Sequence, residues 1–207
     1  NLTGVPSTIS NCLNLGTMDI SKKTSKAGGI VAYVSINNNT TFIRNVENKG
    51  GIKHSGTATT SINLGGVVGF ADTNSGGVIV IENSGNKGTI TSNAKNSNAS
   101  VGDSSKVHAG GIIGFESYSK ADNKVLNCFN VGEISGANIN AAIVATGSTA
   151  ATIEYCYFDS TKCEMWKDSS KEETDTVKKT YADSGYNVSI TVNSTDCHYV
   201  TTALNTW

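Results

Sequence analysis

The chain has 207 residues, 22 of them Gly and one Pro, with 16 Lys or Arg against 17 Asp or Glu and a net charge of −1. Its single arginine, Arg44, leaves no basic stripe to neutralise a phosphate backbone, which argues against nucleic acid as a partner. No apolar run reaches the roughly 18 residues of a membrane span, and the first residues carry no charged leader, so the chain reads as an excised or processed piece.

Glycine, asparagine, serine, threonine and β-branched aliphatics dominate, a composition that favours short strands joined by tight turns and predicts an all-β fold. Two short elements alternate along the chain. The first is Ile9-Ser10-Asn11-Cys12-Leu13-Asn14-Leu15-Gly16-Thr17-Met18, followed by the second, Gly28-Gly29-Ile30-Val31-Ala32-Tyr33. They return as Ile43-Arg44-Asn45-Val46-Glu47-Asn48-Lys49-Gly50-Gly51-Ile52 and Gly65-Gly66-Val67-Val68-Gly69-Phe70. A third round is Ile81-Glu82-Asn83-Ser84-Gly85-Asn86-Lys87-Gly88-Thr89-Ile90 with Gly110-Gly111-Ile112-Ile113-Gly114-Phe115. A fourth pairs Val125-Leu126-Asn127-Cys128-Phe129-Asn130-Val131-Gly132-Glu133-Ile134 with a degraded Ala141-Ala142-Ile143-Val144, and a worn copy of the first element follows at Ile153–Phe158.

Such recurrence signals stacked supersecondary units, none of which buries its apolar face alone. The sequence therefore predicts a parallel β-helix or β-solenoid of four to five divergent repeats over residues 1–158. In Ile-x-Asn, a period of two puts the aliphatic residue and the first asparagine on one inward face, so Asn11, Asn45, Asn83 and Asn127 are expected to stack as a structural ladder. Asparagine also tolerates the left-handed turn that follows. The pairs Gly28-Gly29, Gly65-Gly66 and Gly110-Gly111 are expected at corners where backbones approach closely. Spacing varies only between the end of the first element and the next Gly-Gly, which places variable loops at residues 21–27, 54–64 and 91–108.

The alternation of Gly-Gly-Ile-Val-Gly-Phe with Ile-x-Asn-Cys-x-Asn-x-Gly-x-Ile resembles the GLUG repeat. That repeat occurs in tandem in bacterial cell-surface and adhesin-like proteins, and outside the catalytic domain of some secreted immunoglobulin-A-cleaving metalloproteases. The resemblance covers Ile9 to Phe158. It implies a non-catalytic extracellular or cell-surface solenoid with no catalytic residues to transfer.

Beyond Phe158 the pattern stops, and Asp159 to Asp183 holds twelve of the 33 charged residues. Residues 159–207 are expected to form a solvated connector and a C-terminal cap, with a strand at Val188–Val192 and a short helix starting near Tyr199. Capping is what an open end coil requires. Before Ile9 no comparable cap is visible, so the first coil is expected to be covered either by preceding chain or by a second molecule pairing on its exposed edge.

The five cysteines are too few for a disulfide scaffold. Cys163 and Cys197 flank the cap and are the better candidates for a disulfide. Cys128 and Cys156 share a register in adjacent copies, compatible with a bond or with stacked free thiols. His54, His108 and His198 have no metal-ligand spacing and read as exposed loop residues. Asp72, Asp103 and Asp122 read as turn acids, with calcium binding as the alternative. Acids are sparse within the repeats, so no catalytic, cofactor or metal site is assigned.

The expected function is a non-enzymatic structural or adhesive module. Its partner would be a protein or glycan on a cell or matrix surface, or further copies of itself in a filament. The alternatives are a carbohydrate-active β-helix enzyme and an exosite module of a larger secreted protease.

Overall fold

A computed structural model of the chain describes residues 5–23, 25–58, 60–74, 76–93, 106–118, 122–145, 151–159, 161–164, 166–168, 190–192 and 195–197. It is a parallel β-solenoid whose full turns carry five short strands. Coil 1 holds β1 (Ser7–Ser10), β2 (Leu13–Asn14), β3 (Met18–Ile20), β4 (Ser25–Gly28) and β5 (Val31–Asn37). Coil 2 holds β6 (Thr40–Arg44), β7 (Glu47–Asn48), β8 (Ile52–His54), β9 (Ile62–Gly65) and β10 (Val68–Asn74). Coil 3 holds β11 (Val78–Glu82), β12 (Gly85–Asn86), β13 (Ile90–Ser92), β14 (Val107–Gly110) and β15 (Ile113–Tyr118). Coil 4 has β16 (Lys124–Leu126), β17 (Phe129–Asn130), β18 (Ile134–Ser135) and β19 (Ile139–Ala141), and among the described residues its fifth position carries a bridge between Ile113 and Val144. Coil 5 begins with β20 (Thr152–Glu154) and β21 (Tyr157–Phe158).

Strands at the same position in successive coils pair in parallel. Sheet 1 runs β1-β6-β11-β16-β20, sheet 2 runs β2-β7-β12-β17-β21, and sheet 3 joins β3, β8, β13 and β18. Sheet 4 joins β4, β9, β14 and β19, and sheet 5 joins β5, β10 and β15. The register stacks like on like: Ile9, Ile43, Ile81, Val125 and Ile153 form one inward column of sheet 1. Met18, Ile52, Ile90 and Ile134 form the corresponding column of sheet 3. Each aliphatic removed from water in this way contributes about 1.5–3 kcal/mol before entropy is counted.

Burial is complete in the middle coils and fades in the first. Ile43 and Ile81 are fully buried, whereas Ile9, Met18 and Ile20 are only partly covered and Leu13 and Leu15 are exposed. Among the described residues, β1 to β5 have sheet neighbours on one side only.

Two expectations change. The strands of sheet 4 lie within or at the edge of segments expected as loops: β4 overlaps 21–27, β9 overlaps 54–64, and β14 begins at Val107. Nor does the coil stop at Phe158. The Ile134 amide donates to the Lys162 carbonyl at 3.3 Å, the Ala142 amide donates to the Glu164 carbonyl at 3.1 Å, and β22 (Trp166–Asp168) pairs antiparallel with β19. The solenoid thus runs on to Asp168, and the reversed strand ends sheet 4.

The strand expected at Val188–Val192 appears as β23 (Ile190–Val192), antiparallel to β24 (Thr195–Cys197). The expected helix near Tyr199 lies outside the described residues, as does most of the charged segment. No helix among the described residues is long and apolar enough to cross a membrane.

Candidate functional site

The corner between sheets 1 and 2 carries both asparagines of the repeat. The first, at Asn11, Asn45, Asn83 and Asn127, has a left-handed backbone in each of coils 1 to 4, with φ of 56°, 54°, 50° and 50°. Asparagine accepts this conformation more readily than residues with larger or branched side chains. These residues do lie above one another, since the Asn45 amide donates to the Glu82 carbonyl and the Asn83 amide to the Leu126 carbonyl of the next coil. They do not form the expected inward ladder, however. The left-handed turn rotates the chain, leaving Asn11, Asn45 and Asn83 exposed and Asn127 half-buried.

The amide ladder runs three residues later, through Asn14, Asn48, Asn86 and Asn130. Each Nδ2 donates to the Oδ1 one coil on, at 2.7 Å for all three steps. The second amide hydrogen closes the local turn onto the carbonyl of the glycine two residues on, Gly16, Gly50, Gly88 or Gly132. Asn48, Asn86 and Asn130 are fully buried, and only a side chain with two donors and an acceptor satisfies all of these bonds.

The Gly-Gly corners are where the two sequence elements meet. A Cβ on Gly66 would meet the Gly111 carbonyl oxygen and the Asn86 side chain, and one on Gly111 would meet the Ala142 carbonyl oxygen and Asn130. Gly29 has the same relation to Asn48 and the Gly66 carbonyl oxygen. Close approach, as expected, is the reason for these glycines. That the buried asparagine fills the space they leave had no signal in a single repeat.

The residue after the left-handed position, asparagine in the first four coils and Tyr155 in the fifth, forms a further column: Cys12, Val46, Ser84, Cys128 and Cys156. Except at Val46, its thiol or hydroxyl donates to the carbonyl two residues before, with Cys128 Sγ 3.2 Å from the Leu126 oxygen and Ser84 Oγ 2.8 Å from the Glu82 oxygen. Cys128 and Cys156 are buried free thiols. Burial and the neighbouring Cys156 thiol push the Cys128 pKa well up.

Cys163 is also a buried free thiol, so the expected pairing with Cys197 is not formed, and the side chain of Cys197 lies outside the described residues. The reason is its position at the end of the ladder, where its sulfur accepts from Asn130 Nδ2 at 3.2 Å. Burial pushes its pKa up to about 12.

Other polar residues are also displaced from their expected settings. His54 and His108 are fully buried rather than exposed, and His198 lies outside the described residues. His54 joins two segments, its Nδ1 3.2 Å from Ser92 Oγ and its Nε2 3.0 Å from the Lys22 carbonyl. Asp72 stands on β10 rather than in a turn and accepts from the Tyr33 hydroxyl at 3.2 Å. Asp122 is exposed and outside the strands, and Asp103 lies outside the described residues. Among the described residues, no three His, Cys, Asp or Glu side chains converge as metal ligands.

Two outward surfaces remain. On sheet 5, Tyr33, Phe70 and Phe115 stack coil on coil, with centroids 5.4 and 5.5 Å apart, and the Lys26 ammonium lies 3.9 and 4.1 Å from the first two rings. Phe70 and Phe115 are nearly parallel, so each covers a face of the next. Beside the exposed asparagines runs a groove of ≈ 530 Å³. One sheet 2 column forms its floor: Leu13, Glu47, Gly85 and Phe129. Gly85 leaves the space for the Phe129 ring, which a Cβ there would strike. Glu47 is gripped by Lys87 at 2.7 Å and Lys49 at 3.3 Å. Partial burial pushes the Glu47 carboxyl up, but the two ammonium groups outweigh it and hold its pKa below the usual value.

No protein-family model, curated protein or solved structure matches the chain. Resemblance to the GLUG repeat stands on the recurring motif alone.

Proposed function

We propose that the chain is a non-enzymatic structural or adhesive module of the extracellular or cell-surface type, working through contacts repeated along its axis. The observation that carries this reading is the presence of the same exposed residue at the same backbone angle in successive coils. Repetition suits recognition, because many weak, equivalent contacts add by effective concentration. Catalysis instead asks for one place where different groups converge. The motif's resemblance to GLUG repeats supports the same assignment.

Inert beads coated with the chain and sheared over collagen, fibronectin and mucin surfaces test it. Retention on at least one surface, without release of peptide or sugar fragments, is expected. Failure to adhere together with hydrolysis of a polysaccharide would replace this reading with the catalytic one.

Self-association is a second reading, favoured, among the described residues, by the one-sided pairing of β1 to β5 and the part-exposed aliphatics Ile9, Met18 and Ile20. A second copy pairing on that edge would restore both strand bonds and burial. Sedimentation velocity should show concentration-dependent growth, abolished when Thr8 and Ser10 on β1 are replaced by proline. A sharp monomer at all concentrations would exclude it.

A further inference from the structure

The geometry points to the groove beside Asn11, Asn45 and Asn83 as a binding site for a neutral, extended glycan lying parallel to the solenoid axis. It rests on the adhesive reading above and names the partner class for one surface. The groove's floor is drawn from four successive coils, so its long direction is the stacking direction. An open trough of this kind suits a polymer more than a compact small molecule. Along one wall, three exposed asparagines present amides one coil apart, each held at the same left-handed angle. Each amide offers donors and an acceptor, the complement of sugar hydroxyl groups.

Spacing distinguishes polymers. Coils are stacked about 4.8 Å apart, so two coils span close to the two-sugar repeat over which an extended β-1,4-linked glycan presents the same face, whereas an extended peptide repeats on one face every ~7 Å. A glycan therefore returns to step with the amides at every second coil, while a peptide drifts out. The floor supplies the apolar half of the site: Phe129 lies over Gly85, where its ring can meet the C–H face of a pyranose, and Leu13 extends the strip. Charge indicates a neutral ligand. Glu47, the one carboxylate among the lining residues, is engaged by Lys87 and Lys49. Beneath the trough the buried asparagine ladder holds the coil spacing, so the wall is ordered before any ligand arrives.

The test uses the whole chain and calorimetric titration with neutral β-1,4-linked hexasaccharides of glucose, N-acetylglucosamine and mannose, each beside its disaccharide. At least one hexasaccharide should bind, at least about tenfold more tightly than its disaccharide. The double variant Asn45→Gly/Asn83→Gly removes two amides but keeps a residue at ease with positive φ. It should lose about tenfold or more in affinity with an unchanged melting temperature, as should Phe129→Leu. No binding by any hexasaccharide, or binding untouched by the glycine pair, overturns the proposal. Beads that adhere with or without the glycine pair, while no hexasaccharide binds, sink the groove and leave adhesion standing. Hexasaccharide binding without bead adhesion does the reverse.

Discussion

Two rows of asparagine run along one corner of the coil, three residues apart in the same motif, and the fold uses them in opposite ways. In the row of Asn48, Asn86 and Asn130, the side chains are buried and bonded to one another. In the row of Asn45 and Asn83, the side chains face water and the backbone does the turning, at φ of 54° and 50°. The first use needs the amide, because its loss strands buried partners in both neighbouring coils. The second needs only a residue that tolerates a left-handed angle, which leaves the amide free for recognition. Residue type alone does not assign a role here. The local backbone decides which face of the corner each asparagine occupies.

The contrast can be broken most severely in the buried row. Asn86→Ala removes the acceptor of one Asn48 amide hydrogen and the side-chain donor to Asn130 Oδ1 and to the Gly88 carbonyl, and should cost about 4 kcal/mol in chemical denaturation. Gly66→Ala attacks the same row from the opposite corner by pushing a methyl group against Asn86, and should cost about 3 kcal/mol by the same measurement.

Raising the pH sharpens the contrast at the ladder's end. Cys163 has a folded pKa of about 12, above that of an unfolded thiol. The unfolded chain therefore loses this proton first. The stability contributed is intact below about pH 8.5 and lost as pH climbs toward 12. A drop on the order of 1–2 kcal/mol between pH 8 and 10 is expected, smaller in Cys163→Ala. The smallest effect belongs to the exposed row: Asn83→Ala should cost about 1 kcal/mol through its turn angle, and Asn83→Gly close to nothing.

Much of the fold was legible because the solenoid repeats its own evidence. Aliphatic columns such as Ile9, Ile43, Ile81 and Val125 follow from aligning the copies. Sheet 4 was not legible. Its strands read Ser25-Lys26-Ala27, Ile62-Asn63-Leu64 and Val107-His108-Ala109, which share a small or aliphatic residue before Gly-Gly but too little else to separate them from the loops of differing length that precede them.

The ladder was placed three residues early because strand alternation was carried through Asn11, Asn45, Asn83 and Asn127. A left-handed residue breaks that alternation and resets which face points inward. The roles of the cysteines were hidden for a related reason. Their positions fit disulfide spacing along the chain, whereas the coil uses Cys128 to satisfy a turn carbonyl and Cys163 to close the ladder.

The central claim is that the second asparagine of each repeat, and not the first, is locked into the stack. Hydrogen exchange of the side-chain amide protons, followed residue by residue by NMR, measures this directly. Slow exchange at Asn48 and Asn86 with rapid exchange at Asn45 and Asn83 is the predicted result. Rapid exchange at Asn48 and Asn86, or equal protection of both rows, would contradict the account.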